Sequence, residues 1–120
     1  MSDLQSSMRR GEVLEALERV VASRKGDSPE KSYTSRLLAG GVPRIGGKIT
    51  EEAGELVQAA AAESDDRVVA EAADLLYHTL VLLVARDLSL AAVEAELARR
   101  FGVSGLEEKA SRGRAAGGAS

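Results

Sequence analysis

An all-α domain, a bundle of four to five helices, is what this sequence predicts, and three observations carry the prediction. Apolar residues recur at three- and four-residue spacing through most of the chain, with no strand-like alternation of useful length. The hydrophobic fraction is 44%, drawn mainly from Ala, Leu and Val, while aromatic residues make up only 2%. Small aliphatic side chains suit close helix packing. At 120 residues the chain has enough for one compact domain and too little for two.

The first helix is expected from about Val13 to Ser23, where Val13, Leu14, Leu17, Val20 and Val21 fall on one stripe. Gly26-Asp27-Ser28-Pro29 breaks it, and Ser28 is expected to cap a short second helix that starts at Pro29 and runs to about Ala39. Gly40-Gly41-Val42-Pro43 reads as a turn. A third helix is expected from near Arg44 to about Glu63, with Ile49, Ala53, Leu56, Val57 and Ala60 as its apolar side and Gly46 and Gly47 as a flexible entry. Ser64-Asp65-Asp66 is a turn and cap.

The fourth helix, about Arg67 to Arg86, is apolar on nearly all sides between Leu80 and Val84. Such a segment must be buried, and in so small a protein the simplest cover is a second copy of the chain, so the core is expected to be completed by a homodimer. Ser89 should cap a fifth helix to about Phe101, and Ser104-x-x-Glu107 is a capping-box pattern for a last short turn of helix. Residues 1–12 are expected to be an N-terminal extension, 13–112 the folded domain, and 113–120 a disordered Gly/Ala/Ser tail.

Several function classes are disfavoured. The scarcity of aromatics leaves no stacking platform for bases, and a net charge of −3 gives no pull toward nucleic acid or an anionic membrane. The absence of cysteine removes disulfides, thiol catalysis and thiolate zinc sites, and fits the reducing cytoplasm. The start Met1-Ser2-Asp3-Leu4 lacks a secretory pattern, and the apolar stretch Leu75–Ala85 is about half the length of a membrane span, so a soluble protein is expected.

The chemistry sits in two acidic clusters, Glu51-Glu52-x-x-Glu55 and Glu71-x-x-Asp74, on neighbouring helices. At about 100° per residue, Glu51, Glu52 and Glu55 share an arc with Lys48, while Glu71, Asp74 and His78 share one face of the next helix. Solvated charge is the ordinary meaning of an acidic helix face. Here Glu51, Glu52 and Glu55 lack a Lys or Arg four residues on, and Glu71 and Asp74 stand in a segment rich in Ala, Leu and Val, where an unpaired carboxylate is costly. Carboxylates facing one another across two helices call for a cation. Magnesium fits, since it takes oxygen ligands and bridges to substrate phosphates. Lys31, Tyr33, Thr34, Ser35 and Arg36 gather hydroxyls and cations after a proline turn, where an anion could be gripped. Lys48, His78, Lys109 and Arg112 are further candidates for contact with a phosphorylated ligand, each with an ordinary structural alternative. No Walker A loop is present, because Val42 and Ile49 stand where it needs Gly and Ser or Thr. A ferritin-like pair of Glu-x-x-His motifs is also missing.

Four segments occur in an order that resembles a known family: Lys31-Ser32-Tyr33-Thr34-Ser35-Arg36-Leu37-Leu38, Lys48-Ile49-Thr50-Glu51-Glu52-Ala53-Gly54-Glu55, Glu71-Ala72-Ala73-Asp74-Leu75-Leu76-Tyr77-His78 and Gly105-Leu106-Glu107-Glu108-Lys109-Ala110-Ser111-Arg112. Over nearly the whole domain the chain is similar to the phosphoribosyl-ATP pyrophosphohydrolases of histidine biosynthesis, in the MazG-like all-α superfamily. The acidic motifs belong to the superfamily, whereas the Ser-Tyr-Thr segment and the run from Glu71 to His78 point to this branch. The resemblance implies hydrolysis of phosphoribosyl-ATP between the α and β phosphates, with Mg²⁺ as cofactor. It implies Glu52, Glu55, Glu71 and Asp74 as metal ligands and Glu51 as a further acidic member of the catalytic group. Lys31, Tyr33, Thr34, Arg36, Lys48, His78, Lys109 and Arg112 would bind substrate. Two rivals share the acidic face: a house-cleaning nucleoside triphosphate pyrophosphohydrolase, and a non-enzymatic helical module that binds a basic partner.

Overall fold

The computed structural model describes residues 8–101 together with residues 109, 112 and 113. Among the described residues four α-helices and a short 3-10 turn are delimited, and no strand occurs. Helix α1 spans Glu12–Ser23, the 3-10 turn Pro29–Lys31, α2 Tyr33–Ala62, α3 Asp65–Ala85 and α4 Leu90–Arg99. The chain divides into two units, Met1–Leu90 and Ala91–Ser120. Helices α1, α2 and α3 form the first, and nearly all of α4 lies in the second. The capping box at Ser104 and the tail past Gly113 fall outside the described residues.

In the first unit α2 and α3 run alongside one another, and α1 packs on α3. The core holds Val21 of α1, Leu37 and Ile45 of α2, and Val81 and Val84 of α3. Leu17, Leu38, Ile49, Tyr77, Leu82 and Ala85 surround it half-buried. The stripe read from α1 is therefore real, but it is shallow: Val21 is fully buried, while Val13 and Val20 are half exposed. Within α3, Leu80, Val81 and Val84 are buried in the single chain, Val81 and Val84 in the core with Val21 of α1 and Leu37 and Ile45 of α2.

Sequence expectation and structure part company around α2. Ser28 precedes the 3-10 turn without any side-chain cap, and Ser32 caps the helix instead: its Oγ accepts from the Ser35 backbone N–H at 3.0 Å. Pro29 is at home at the start of the 3-10 turn because its missing N–H has no partner to lose there. The turn expected over Gly40–Pro43 is only one residue wide. Helical geometry holds on both sides of Gly41, which has φ 73° and ψ −171°, a conformation essentially restricted to glycine. Pro43 falls in the first turn after this break, where it needs no donor. Gly40 also permits a close approach, since a Cβ there would lie 2.5 Å from Arg44 Cδ. Gly46 and Gly47 are not an entry segment but lie inside the helix.

Helix α3 follows its prediction closely. Ser64 caps it, with Oγ accepting from the Arg67 N–H at 3.4 Å, and Asp65 and Asp66 in the first turn complement the dipole. At the other end Lys25 donates to the Val84 carbonyl at 2.9 Å and pairs with Asp87, which places a cation where the helix leaves carbonyls unsatisfied. Taken whole, α3 is long and apolar enough to cross a membrane by length and composition. Yet it carries Glu71 and Asp74 mid-length and supplies Val81 and Val84 to the bundle core. Helix α4 begins directly after Ser89. Within that unit Arg99 and then Arg100 hold the Glu96 carboxyl down at about 2 by hydrogen bonding.

Candidate metal centre

Both acidic motifs lie where α2 and α3 run side by side. Glu52 and Glu55 are on α2, one turn apart, and Glu71 is on α3. One oxygen from each of these three carboxylates falls within 4.8 Å of the others. Glu52 and Glu71 are buried, at 7% and 3% exposure, and Glu55 opens to solvent. Asp74 stands outside the trio on an exposed position, although its charge reaches Glu52. Glu51 is exposed too, and Lys48 pairs with it at 3.4 Å rather than with the buried acids.

Electrostatics in the trio are unfavourable as they stand. Burial pushes the Glu52 carboxyl above its ordinary value, and the negative charges of Asp74 and Glu71 push it further. Hydrogen bonding with the Glu71 carboxyl, then burial and the surrounding acids, raises Glu55 likewise. A carboxyl that keeps its proton can donate to a neighbour, but fully ionised groups have no donor to share. In that state Glu52 Oε2 and Glu71 Oε2 are buried with no hydrogen-bond partner among the described residues. Two orphaned acceptors beside a third carboxylate fit a hard divalent cation, which takes oxygen ligands and offsets all three charges at once.

Partial compensation comes from a residue the sequence analysis overlooked. Arg67 Nη2 donates to Glu71 Oε1 at 2.5 Å, and its Nε lies 3.5 Å from Glu63. Glu71 is therefore not the unpaired carboxylate that its apolar segment suggested. The signal was available, because Arg67 precedes Glu71 by four residues, the spacing at which helical side chains meet.

Behind Glu52 lies a polar and aromatic cluster. His78 is 4% exposed, with Nδ1 2.9 Å from the Asp74 backbone carbonyl and 3.9 Å from Glu52 Oε1. Its Nε2 meets the Tyr33 hydroxyl at 3.1 Å. A carbonyl can only accept, so Nδ1 carries the proton, and in the neutral ring Nε2 accepts from Tyr33. Thr34 Oγ1 and the Tyr77 hydroxyl are 2.5 Å apart. The Tyr33, Tyr77 and His78 rings pack with centroids 5.0–6.4 Å apart. Tyr77 was not foreseen as a partner, since nothing in its own segment signals a residue 43 positions away.

Of the other substrate-binding candidates, Lys31 is exposed on the 3-10 turn and Arg36 in the first turn of α2, Tyr33 is 44% exposed, and Thr34 and Lys48 are half-buried. Lys109 and Arg112 belong to the second unit and are exposed within it. A cavity of about 290 Å³ lies elsewhere in the first unit, lined by Lys25, Asp27, Leu38, Gly41 and Val42 among others, and none of the acidic trio reaches it.

Residues 14–101 match the family described as Phosphoribosyl-ATP pyrophosphohydrolase. A phosphoribosyl-ATP pyrophosphatase of Trichlorobacter lovleyi is 53% identical over 100 residues, covering 83% of this chain and 93% of the relative. Enzymes of the same name from Erythrobacter litoralis and Paramagnetospirillum magneticum are 52% and 53% identical over 83% of this chain, covering 96% and 92% of their own lengths.

Proposed function

The chain belongs to the phosphoribosyl-ATP pyrophosphohydrolase family, and from that premise we infer that it hydrolyses phosphoribosyl-ATP to phosphoribosyl-AMP and pyrophosphate, a step of histidine biosynthesis. Mg²⁺ would be held by Glu52, Glu55 and Glu71, with Asp74 as a fourth ligand and Glu51 as a further acidic member of the site. One observation carries the metal assignment: Glu52 and Glu71 each keep a buried carboxylate oxygen with no hydrogen-bond partner, and both carboxylates cluster with that of Glu55. A bound magnesium supplies charge neutralisation on the phosphate oxygens, which otherwise repel an attacking water.

The residues of this chain do the rest. Arg67 keeps Glu71 aimed into the site, and His78 stands behind Glu52 with both ring nitrogens engaged. Lys31, Tyr33, Thr34, Arg36 and Lys48 supply cations and hydroxyls for the substrate. Glu51, exposed beside the buried acids, would orient the attacking water as a base, a role worth roughly 10²–10⁴-fold.

A homodimer is the assembly state that goes with this function, and the cytoplasm its compartment. The apolar side chains left for a second copy to cover in the first unit include Val57 and Val69, both 69% exposed, and Leu76 at 51%. Pyrophosphate release from phosphoribosyl-ATP, and from a panel of nucleoside triphosphates, with magnesium and with a chelator, tests the function. Turnover of phosphoribosyl-ATP that the chelator abolishes is expected. Equal turnover of the whole panel would favour a house-cleaning enzyme, and none at all would favour a binding module.

A further inference from the structure

The first turns of α2 and the middle of α3 are tied together by two side-chain hydrogen bonds. Tyr33 donates to His78 Nε2 across 45 positions of sequence, and Thr34 meets Tyr77 across 43. Both ties come from adjacent residues at the start of α2, between the cations Lys31 and Arg36. Both end one turn past Asp74 on α3. At the far end of this first stretch of α2 stands Gly41, the one residue with non-helical backbone inside the helix. The stretch 33–40 is thus an arm with a break at one end and a pair of hydrogen-bonded ties at the other.

His78 is the node of this arrangement. Its Nδ1–H is spent on the Asp74 carbonyl, which fixes the ring and leaves Nε2 as an acceptor aimed at Tyr33. The same ring stands 3.9 Å from Glu52 Oε1. One imidazole therefore touches the arm that carries Arg36, the backbone of Asp74 and the side chain of Glu52. A hydroxyl is not needed to fill space at Tyr33, since the ring is 44% exposed. What the hydroxyl does is fix the distance between arm and carboxylates.

We propose that the Tyr33–His78 hydrogen bond is a latch that sets the cation-bearing arm of α2 in register with the carboxylate site, so that Tyr33 and His78 act as positioning residues for the substrate. This rests on the pyrophosphohydrolase function inferred above. The latch holds the arm before substrate arrives, so its loss appears in KM. A purely structural role would instead lower the folded fraction, which reduces apparent kcat and leaves KM alone.

A double-mutant cycle on the full chain tests it, using Tyr33→Phe and His78→Asn. Asparagine keeps a donor near the Nδ1 position for the Asp74 carbonyl and removes the Nε2 acceptor. Each single substitution is expected to raise KM for phosphoribosyl-ATP about tenfold, the lower end of the effect of losing a partner that orients a site residue. The double variant should show about the same tenfold rise rather than the roughly hundredfold rise of independent effects. His78→Gln, which restores an acceptor near Nε2, should recover most of the loss while Tyr33 is present and none of it in Tyr33→Phe. If His78→Asn does not fold, His78→Phe, which keeps a ring and has no acceptor, takes its place in the cycle. An active wild type with additive effects on KM, or with losses confined to kcat, overturns the latch. A wild type that releases no pyrophosphate overturns the inferred function and the latch with it.

Discussion

Replacing Glu52 by Gln separates stability from activity in this protein, and the two should move in opposite directions. Glu52 is 93% buried by its 7% exposure, one of its oxygens has no partner, and Asp74 and Glu71 add like charge. A buried acceptor left unsatisfied costs about 1–3 kcal/mol, and more when charged. Glu52→Gln removes the charge, keeps the shape and brings a donor within reach of the neighbouring carboxylates. In the absence of metal the variant is expected to be more stable than wild type by about 1–2 kcal/mol, a rise in Tm of roughly 4–8 °C per kcal/mol for a domain of this size. With magnesium at about 100 times its Kd, wild type should gain about 2.7 kcal/mol, and the variant much less. The order of Tm values therefore inverts when magnesium is added. Pyrophosphate release by the variant should fall by about 10²–10³-fold, the effect typical of removing one group that stabilises developing charge.

Acidity supplies an independent check on the same residue. Its folded-state carboxyl lies above the ordinary value, so the folded chain keeps that proton to higher pH than the unfolded chain. This contribution to metal-free stability is fully present below the unfolded carboxylate value, about 4.3, and is lost as pH rises through the raised folded value. Wild-type Tm without metal should decline over that window, and Glu52→Gln should flatten the decline. Thermal unfolding by circular dichroism between pH 4 and 8, with magnesium and with chelator, measures all of these quantities. A metal-free variant less stable than wild type, together with equal magnesium shifts in both proteins, would refute the ligand assignment.

Two further substitutions test neighbouring parts of the structure. Arg67→Met leaves the buried Glu71 carboxylate without its ion pair; because Arg67 is itself 55% exposed, the metal-free cost should be about 1–3 kcal/mol rather than the 3–5 of a fully buried pair. Saturating magnesium should narrow that deficit, and a deficit of equal size with and without metal would count against a cation beside Glu71. Gly41→Ala puts a Cβ on a backbone with φ 73°, which should cost about 1–3 kcal/mol and is measurable by urea denaturation; an unchanged midpoint would mean that α2 can straighten.

The all-α class, the limits of α1 and α3 within about two residues, the Ser64 cap and the two acidic motifs were all legible in the sequence. Each depends on neighbours within one or two helical turns, where spacing alone decides which side chains meet. The Arg67–Glu71 pair belonged to the same class and could have been found from its spacing. The cap of α2 was harder, because Ser28-Pro29 and Ser32 both offer a plausible start and the 3-10 turn between them separates the two.

Long-range packing decided the rest. Only the side-by-side run of α2 and α3 determines that Glu52 and Glu71 turn inward while Asp74 and Glu51 face out, although spacing put them on shared arcs. The same packing buries Val81 and Val84 within the chain and brings Tyr33 to His78 and Thr34 to Tyr77. Helical periodicity gives the direction of a side chain relative to its own axis. Burial, like-charge repulsion and hydrogen bonds across dozens of residues depend on how the axes lie against one another, and that is settled by the sum of many weak apolar contacts rather than by any local motif.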